Sequence, residues 1–413
     1  MSIRYACTSC GATHEADTVV YRCPRCGGAT SAGGFPRGIL SVVFDPALLG
    51  AKPRAGAPVD PQEFLPVPVP GSRAFPAGGT PLVAPGRLRA GTGFPNLFLK
   101  NDTLNPSGSL KDRASLLVAA QAIAAGERRV ALASTGNAGA SMAAAGAALG
   151  LEVVLFVPGT APRAKLLQSL LYGAKVVPVR GTYDDAFALS IEYTDACGGV
   201  NRNTAHNPFT IEGKKTVSVE IRNQLGTVPD VVYVPTGDGV ILAGVHKGFA
   251  DLVAAGLAER VPALVAVQAS GSNAIARSFR EGRQVVLAGT STIADSLSVR
   301  APANGEMALR CLAASGGRAV EVDDPAISRA QLELCRDAGL FVEPSSAAAW
   351  AGFLADRQNL DRRSRVVVLL TGTGFKDAKA AEGLVAMPEP CEPGLGPALD
   401  LLDREYGLRH RPR

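Results

Sequence analysis

From Leu97 onward the chain alternates two kinds of apolar stretch. The short runs "LFLK", "RVALAS", "LEVVLFVP", "KVVPV", "DVVYVP", "ALVAVQAS", "RAVEVDD" and "RVVVLLTG" have the length and β-branched content of strands buried on both faces. Longer Ala- and Leu-rich segments lie among them: "LKDRASLLVAAQAIAAG", "NAGASMAAAGAALG", "APRAKLLQSLLYGA", "VILAGVHKGFADLVAAG" and a stretch around Arg329 to Ala338. These read as helices, the first of them ended by Gly126. Strands and helices alternating across short turns predict parallel sheets covered by helices. The units fall into two series, so the expected fold class is α/β, with two open, largely parallel-sheet domains and the active site in the cleft between them. The segment "AGASMAAAGAALGLEVVLFV" is long enough to span a membrane. Glu152 and the change from Ala/Gly to Val/Leu/Phe near Gly150 divide it instead into a buried helix and a buried strand.

The chain before this region has a different character. "CTSCGATHEADTVVYRCPRCGG" places Cys7 and Cys10 in one C-x-x-C and Cys23 and Cys26 in a second, with "TVVYR" between them as a short strand. Four thiolates at this spacing suit a closed tetrahedral zinc site, and the segment is too short to have a core of its own. The preferred reading is a structural zinc ribbon over a nucleic-acid or partner-binding finger, with His14 in solvent. Pro- and Gly-rich sequence follows ("AKPRAGAPVD", "LPVPVPGSRAFPAGG"), as in an extended connection. The expected division is 1–32 zinc ribbon, 33–80 connection, 81–110 with 211–386 a large α/β domain, 111–210 a smaller one, and 387–413 a peripheral tail.

Composition narrows the function. The 413 residues carry a formal charge of +5, with one Trp and seven Tyr, which leaves little for base stacking and argues against nucleic acid. The charge is compatible with a small anionic ligand. The amino terminus "MSIRYACTSC" has no basic start leading into an apolar run, so a cytoplasmic protein with no membrane association is expected. Four histidines, at 14, 206, 246 and 410, supply a His-based triad or metal centre poorly, and neither H-E-x-x-H nor G-x-S-x-G occurs.

Three turns follow strands and open helices: "ASTGNAGAS" (133–141), "PTGDGVILAG" (235–244) and "LLTGTGFKD" (369–377). In an open parallel sheet such turns lie where ligands bind. Gly237 and Gly239 let backbone amides approach an anion at a helix start, and phosphate is the natural guest. The turn is not a dinucleotide fingerprint, because Leu242 stands where the third Gly is needed, and "EGKKT" is not a P-loop, because Pro208 stands five residues before Gly213. The remaining reactive candidate is Lys111 in "NPSGSLKDRAS". A lysine at a helix start is disfavoured by the helix dipole, and one that forms a Schiff base needs a neutral amine. Arg113 nearby and the apolar helix after it are expected to supply that depression.

Taken in order, "NPSGSLKDRAS", "STGNAG", "HNPFTIEGKKT", "EPSSAAAWAG" and "LLTGTGFKD" resemble the threonine synthase branch of the tryptophan-synthase-β-like, pyridoxal-phosphate (PLP) dependent enzymes of fold type II. "YDDAF" and "AKLLQSLLYGAKVV" are similar to that branch too, and the match runs from about Thr80 to Ala386. The resemblance implies that Lys111 holds PLP and is the catalytic base. It implies that Asn137 bonds the cofactor's ring oxygen, that Gly237, Asp238, Gly239, Val240 and Ile241 line its phosphate, and that Thr371 faces the pyridine nitrogen. Ser134, Thr135 and Gly136 would take the substrate carboxylate, and Asn207, Lys165, Arg163 and Lys215 a substrate phosphate. The implied reaction turns O-phospho-L-homoserine and water into L-threonine and phosphate, in a homodimer. A cysteate synthase-like or other β-replacing or β-eliminating enzyme would share the cofactor residues. A zinc-ribbon protein on an inactive scaffold is the reading from another class.

The chain departs from the family pattern at the anion-facing positions. Leu110 and Ala114 replace Phe and Gly around the lysine, Thr210 replaces an Arg, and Thr373 replaces a His. Asp238 stands in the phosphate turn, where its charge must be turned away or offset.

Overall fold

The computed structural model describes residues 3–16, 21–27, 34–43 and 57–408. The amino-terminal part is a three-stranded antiparallel sheet in the order β2-β1-β3, with β1 (Arg4–Cys7), β2 (Thr13–Glu15) and β3 (Leu40–Val43). The third strand comes from the stretch read as connection, so this sheet reaches past residue 32. Of the expected strand "TVVYR", residues 18–20 lie outside the described residues, and Arg22 forms a single bridge to Ile39.

The body follows as β4 (Leu82–Val83), α1 (Gly86–Thr92), β5 (Leu97–Asn101), α2 (Lys111–Ala124), β6 (Arg129–Ala133), α3 (Asn137–Leu149), β7 (Glu152–Pro158), α4 (Arg163–Leu171), β8 (Lys175–Val179), α5 (Tyr183–Cys197) and β9 (Val200–Asn201). It continues through α6 (Phe209–Leu225), β10 (Val231–Pro235), α7 (Val240–Ala254), β11 (Ala263–Ala269), α8 (Ala274–Glu281), α9 (Gly305–Ala314) and β12 (Arg318–Val322). The last elements are α10 (Asp324–Ala338), α11 (Pro344–Asp356), β13 (Val366–Leu370), α12 (Lys379–Glu382) and α13 (Leu395–Tyr406). One sheet has the order β12-β11-β10-β13-β5-β4, parallel except for β4, and the other has the order β8-β7-β6-β9, parallel throughout. Strands β10 and β13 are buried at every position, as strands covered on both faces must be. Helix α10 begins five residues before the stretch expected, because the Asp323 side chain accepts from the Ala326 amide and caps it there. Among the described residues no helix is long and apolar enough to cross a membrane.

Helix α6 was not anticipated, although 14 of its 17 residues are buried. Its sequence carries Glu212, Lys214, Lys215, Glu220 and Arg222, a polar pattern that gives no apolar stripe to read. Two buried ion networks explain how these charges enter the core. Lys215 Nζ lies 2.6 Å from Glu212 and 2.8 Å from Asp251, and Lys247 joins the same carboxylates from α7. The second network joins α2, α6 and the end of β5. Arg113 donates through Nε to Asp102 at 2.6 Å and through Nη1 to Glu220 at 2.5 Å, and Lys100 Nζ reaches Glu220 at 2.6 Å.

The Arg113 network holds the first turn of α2 against α6. Burial alone would raise the Glu220 carboxyl, but Arg113 and Lys100 hold it down at about 2. Removing one partner strands a buried charge, so Arg113→Met should cost about 3–5 kcal/mol of folding stability in denaturant titration. Glu220 contributes in full above its unfolded value of about 4.3. Its contribution should fade as pH falls toward 2 and be missing from Glu220→Gln, which thermal melts across that range would check.

Candidate active site

The three residues Lys111, Asp112 and Arg113 open α2 and point to three different tasks. Asp112 accepts from the Ser107 amide at 2.6 Å and from its hydroxyl, which closes the loop before the helix. Arg113 is spent on Asp102 and Glu220. It is therefore not the charge that acts on Lys111, contrary to the expectation from sequence. Lys111 makes no hydrogen bond or ion pair among the described residues and faces an inner cavity of about 70 Å³. The Leu110 amide donates to the Thr371 carbonyl at 2.8 Å, which ties this helix start to the end of β13.

The inner cavity lies at the carboxyl ends of β6, β10 and β13. Its lining includes Lys111, Asn137, Gly237, Asp238, Gly239, Ile241, Glu343 and Thr371. Thus the turn after β10, the lysine, the asparagine opening α3 and the hydroxyl after β13 are brought around one space. Val240 is fully buried behind the turn and contributes packing. The amides of Gly237, Asp238, Gly239 and Ile241 have no backbone acceptor among the described residues. A Cβ on Gly237 would stand 2.8 Å from the Ser296 carbonyl, and one on Gly239, whose φ is +90°, 2.9 Å from Ala308. Both positions therefore require glycine, and the bare backbone forms a cradle of donors at the start of α7.

Burial of the ammonium holds Lys111 below the ordinary lysine range; Asp238 and Glu343 oppose the shift and Arg202 adds to it. Arg202 and Lys214 were not picked out from the sequence. Both are fully buried, and burial depresses both. Arg202 donates to Thr204 at 2.7 Å and to Ser115, with no ion pair among the described residues. Glu343 opens the "EPSSAAAWAG" stretch, whose spacing alone implies no role for it. It is buried, its carboxyl is raised by that burial, and both its oxygens accept from Asn137 Nδ2, at 3.1 and 3.0 Å. Ser346, which follows it by three, accepts from the amides of Thr371 and Gly372.

An outer cleft of about 360 Å³ adjoins the cavity, sharing Asn137, Ser296, Glu343 and Ser345 with it. Thr135, Gly136 and Lys165 line this cleft, and the Ser134 hydroxyl accepts from the amides of Gly136 and Gly139 to shape the turn. Lys165 pairs with Asp295 at 2.9 Å across the mouth. Arg163 is exposed at the first position of α4 and does not line the cleft. Lys215 and Asn207 are placed elsewhere. Lys215 is held in the Glu212–Asp251 network, and Asn207 donates to Gln121 and the Asn201 carbonyl while accepting from the Phe209 amide. The lysine that reaches the cleft beside Lys165 is Lys376, which donates to Gln168 at 2.5 Å.

Away from this site, the sulfurs of Cys7, Cys10, Cys23 and Cys26 lie within 4.8 Å of one another, as ligands of one metal ion do. His14 is half-buried rather than in solvent, with Nε2 3.3 Å from Cys23 Sγ. The Tyr21 ring stacks on His206 at 4.8 Å, which joins this sheet to the body.

A family model described as pyridoxal-phosphate dependent enzyme matches residues 74–372. The chain is 34% identical over 389 residues to a threonine synthase of Methanocaldococcus jannaschii, covering 91% of this chain and 93% of that one. It is 36% identical over 307 residues to a threonine synthase of Mycobacterium leprae, covering 74% and 83%. Among solved structures, a diaminopropionate ammonia lyase of Escherichia coli superposes with a TM-score of 0.65 at 18% identity, over 83% of this chain and 95% of that one. Maize serine racemase superposes with a TM-score of 0.64 at 21% identity, over 80% and 97%. At these identities the two structures share the fold.

Arg202 is a cation acting on Lys111, so Arg202→Met should raise the amine's pKa. Less neutral amine is then present near pH 7, and acylation of Lys111 should slow several-fold. Mass spectrometry of reagent-labelled, cofactor-free protein across pH checks this, with Arg163→Met as the unaffected control.

Proposed function

From the premise that the chain belongs to the pyridoxal-phosphate dependent enzyme family, we propose that it is a threonine synthase, converting O-phospho-L-homoserine and water to L-threonine and phosphate. The observation that carries this reading is Lys111, an unpartnered amine in a cavity bounded by an amide cradle and a hydroxyl, in a chain that matches curated threonine synthases over most of its length. The residues present fit the cofactor. The cradle at 237–241 suits its phosphate, Lys111 its carbonyl carbon, Asn137 its ring oxygen and Thr371 its ring nitrogen. When bound, the cofactor supplies an electron sink that stabilises negative charge on substrate carbon.

The chain's own groups then divide the work. Lys111, held neutral by burial, takes the proton from Cα and returns one as the reaction closes. Thr371 offers a hydroxyl, which does not keep a proton on the ring nitrogen as a carboxylate would, and this moderates the sink in favour of elimination and replacement. The turn at Ser134, Thr135 and Gly136 receives the substrate carboxylate at the start of α3. Lys165 and Lys376 face the outer cleft and offer positive charge to the substrate phosphate, whose bond to Cγ breaks. The proton lost from Cβ is balanced by the one that makes Cγ a methyl group, and water, admitted through the same cleft, adds its OH to Cβ while its second proton offsets the one the released phosphate takes up. Thr210 cannot replace the family's arginine, because it is buried and its hydroxyl is spent on the Asn207 carbonyl.

The amino-terminal sheet is a structural zinc ribbon in this reading. The four thiols fill a tetrahedral site and leave no open position for catalysis, and His14 orients Cys23 from outside. Metal analysis of protein purified without chelator should give one zinc per chain. Chelation should lower thermal stability more than it lowers the initial rate.

The test of function is phosphate release from phosphohomoserine with threonine identified as product, compared with phosphoserine plus sulfite. Threonine forms with the first substrate, and the second gives no release above background. Lys111→Ala should lose both turnover and the absorbance band of lysine-bound cofactor. A protein active only on phosphoserine would displace this reading in favour of a cysteate synthase-like enzyme.

A further inference from the structure

Asp238 places a carboxylate in the turn that receives a phosphate. Its Oδ1 accepts from the Val240 amide at 3.0 Å, so the side chain is fixed at the amino end of α7. Two like charges at one helix end repel, and a desolvated setting strengthens the repulsion.

The offsetting charge lies on the neighbouring helix. Lys214 is fully buried, its Nζ donates to the Thr210 carbonyl at 3.0 Å, and it forms no ion pair among the described residues. Lys100, Lys215 and Lys247 are also buried, yet each meets a carboxylate. Helices α6 and α7 pack in parallel. A Cβ on Gly244 would touch Ile211 O and Lys214 Cβ, and one on Gly248 would touch Lys215 O and Ser218 Cβ. One helical turn along either helix is thus matched by one turn along the other. Side chains on a helix lean toward its amino end, and Lys214 runs back one turn to Thr210. Val240 is one turn before Gly244, so the ammonium arrives level with Val240, beside the glycine turn. Ile211, Val240 and Ala243 share one apolar cluster there. Burial holds Lys214 well below the ordinary lysine range and Lys111 and Arg202 add to that, while Asp238 opposes it; a phosphate dianion on the turn favours the charged amine again.

We propose that Lys214 is the positioning residue that neutralises Asp238 and so allows a phosphate dianion to settle on the amides of Gly237, Asp238, Gly239 and Ile241. The proposal rests on the reading of that turn as the seat of the cofactor phosphate. Lys214 acts on the phosphate end alone, whereas Lys111 captures the carbonyl end. Affinity for PLP therefore depends on Lys214, and affinity for pyridoxal, which lacks the phosphate, does not.

The full-length chain, freed of cofactor by dialysis, is titrated with PLP and with pyridoxal, following the absorbance lost in Lys111→Ala. The wild type binds PLP more tightly than pyridoxal; absence of that preference would remove the reading of the turn itself. Lys214→Gln is expected to weaken PLP by about tenfold and to leave pyridoxal unchanged. Asp238→Asn added to Lys214→Gln is expected to restore most of the loss. A full PLP preference in Lys214→Gln, or no recovery in the double variant, overturns the proposal. If Lys214→Gln loses pyridoxal as well through misfolding, Lys214→Arg and Asp238→Asn decide. The first keeps the preference and the second increases it, and an unchanged Asp238→Asn overturns the proposal.

Discussion

The buried pairing of Arg113 with Asp102 and Glu220 is the constraint on which the site depends. It fixes the first turn of α2 to the end of β5 and to α6 at once. Lys111 is two residues before that anchor and Asp112 closes the loop on its other side, so the Lys111 amine stands between two fixed points. A lysine of this length would otherwise seek solvent or a carboxylate. Here both neighbouring polar residues are engaged elsewhere, and the amine is left facing a cavity.

The same separation of charges runs through the rest of the site. Carboxylates and cations that serve the fold are paired, as in the Lys215–Glu212–Asp251–Lys247 group. The basic groups near the cavity, Lys111, Arg202 and Lys214, carry no ion pair among the described residues. Burying unpaired cations costs stability, and such a cost is tolerated where a ligand of opposite charge completes the balance. A phosphate-bearing cofactor and a phosphate-bearing substrate both fit that requirement. Glu343 is the counterweight: it reaches the inner cavity and the outer cleft and holds Asn137 between them.

Much of the architecture could be read from residues alone. Runs such as "LEVVLFVP" allow few alternatives to a buried strand, and "STGNAG" and "PTGDGV" mark helix starts that can receive anions. The four cysteines declare their cluster by spacing. What escaped reading has a common cause. Helix α6 looks polar, yet its Lys215 and Glu220 meet opposite charges on α2, α7 and β5, none adjacent in sequence. Arg113 is close to Lys111 along the chain, which suggested the wrong partner, while Arg202 is 91 residues away and acts on it. Lys214 and Lys215 are neighbours in sequence but leave the helix about 100° apart. One turns toward the glycine turn and the other into the Glu212–Asp251 network.

The sequence by itself determined the alternation of the main strands and helices, the cysteine cluster and the glycine turn before α7. Each of these is a local property, set by periodicity, spacing or a backbone conformation that only glycine tolerates. The tertiary structure alone decided which charges are spent and which remain available. That outcome depends on the distance and burial of groups far apart in the chain, and in a desolvated site those two quantities decide whether a lysine is an ion-pair partner or a base.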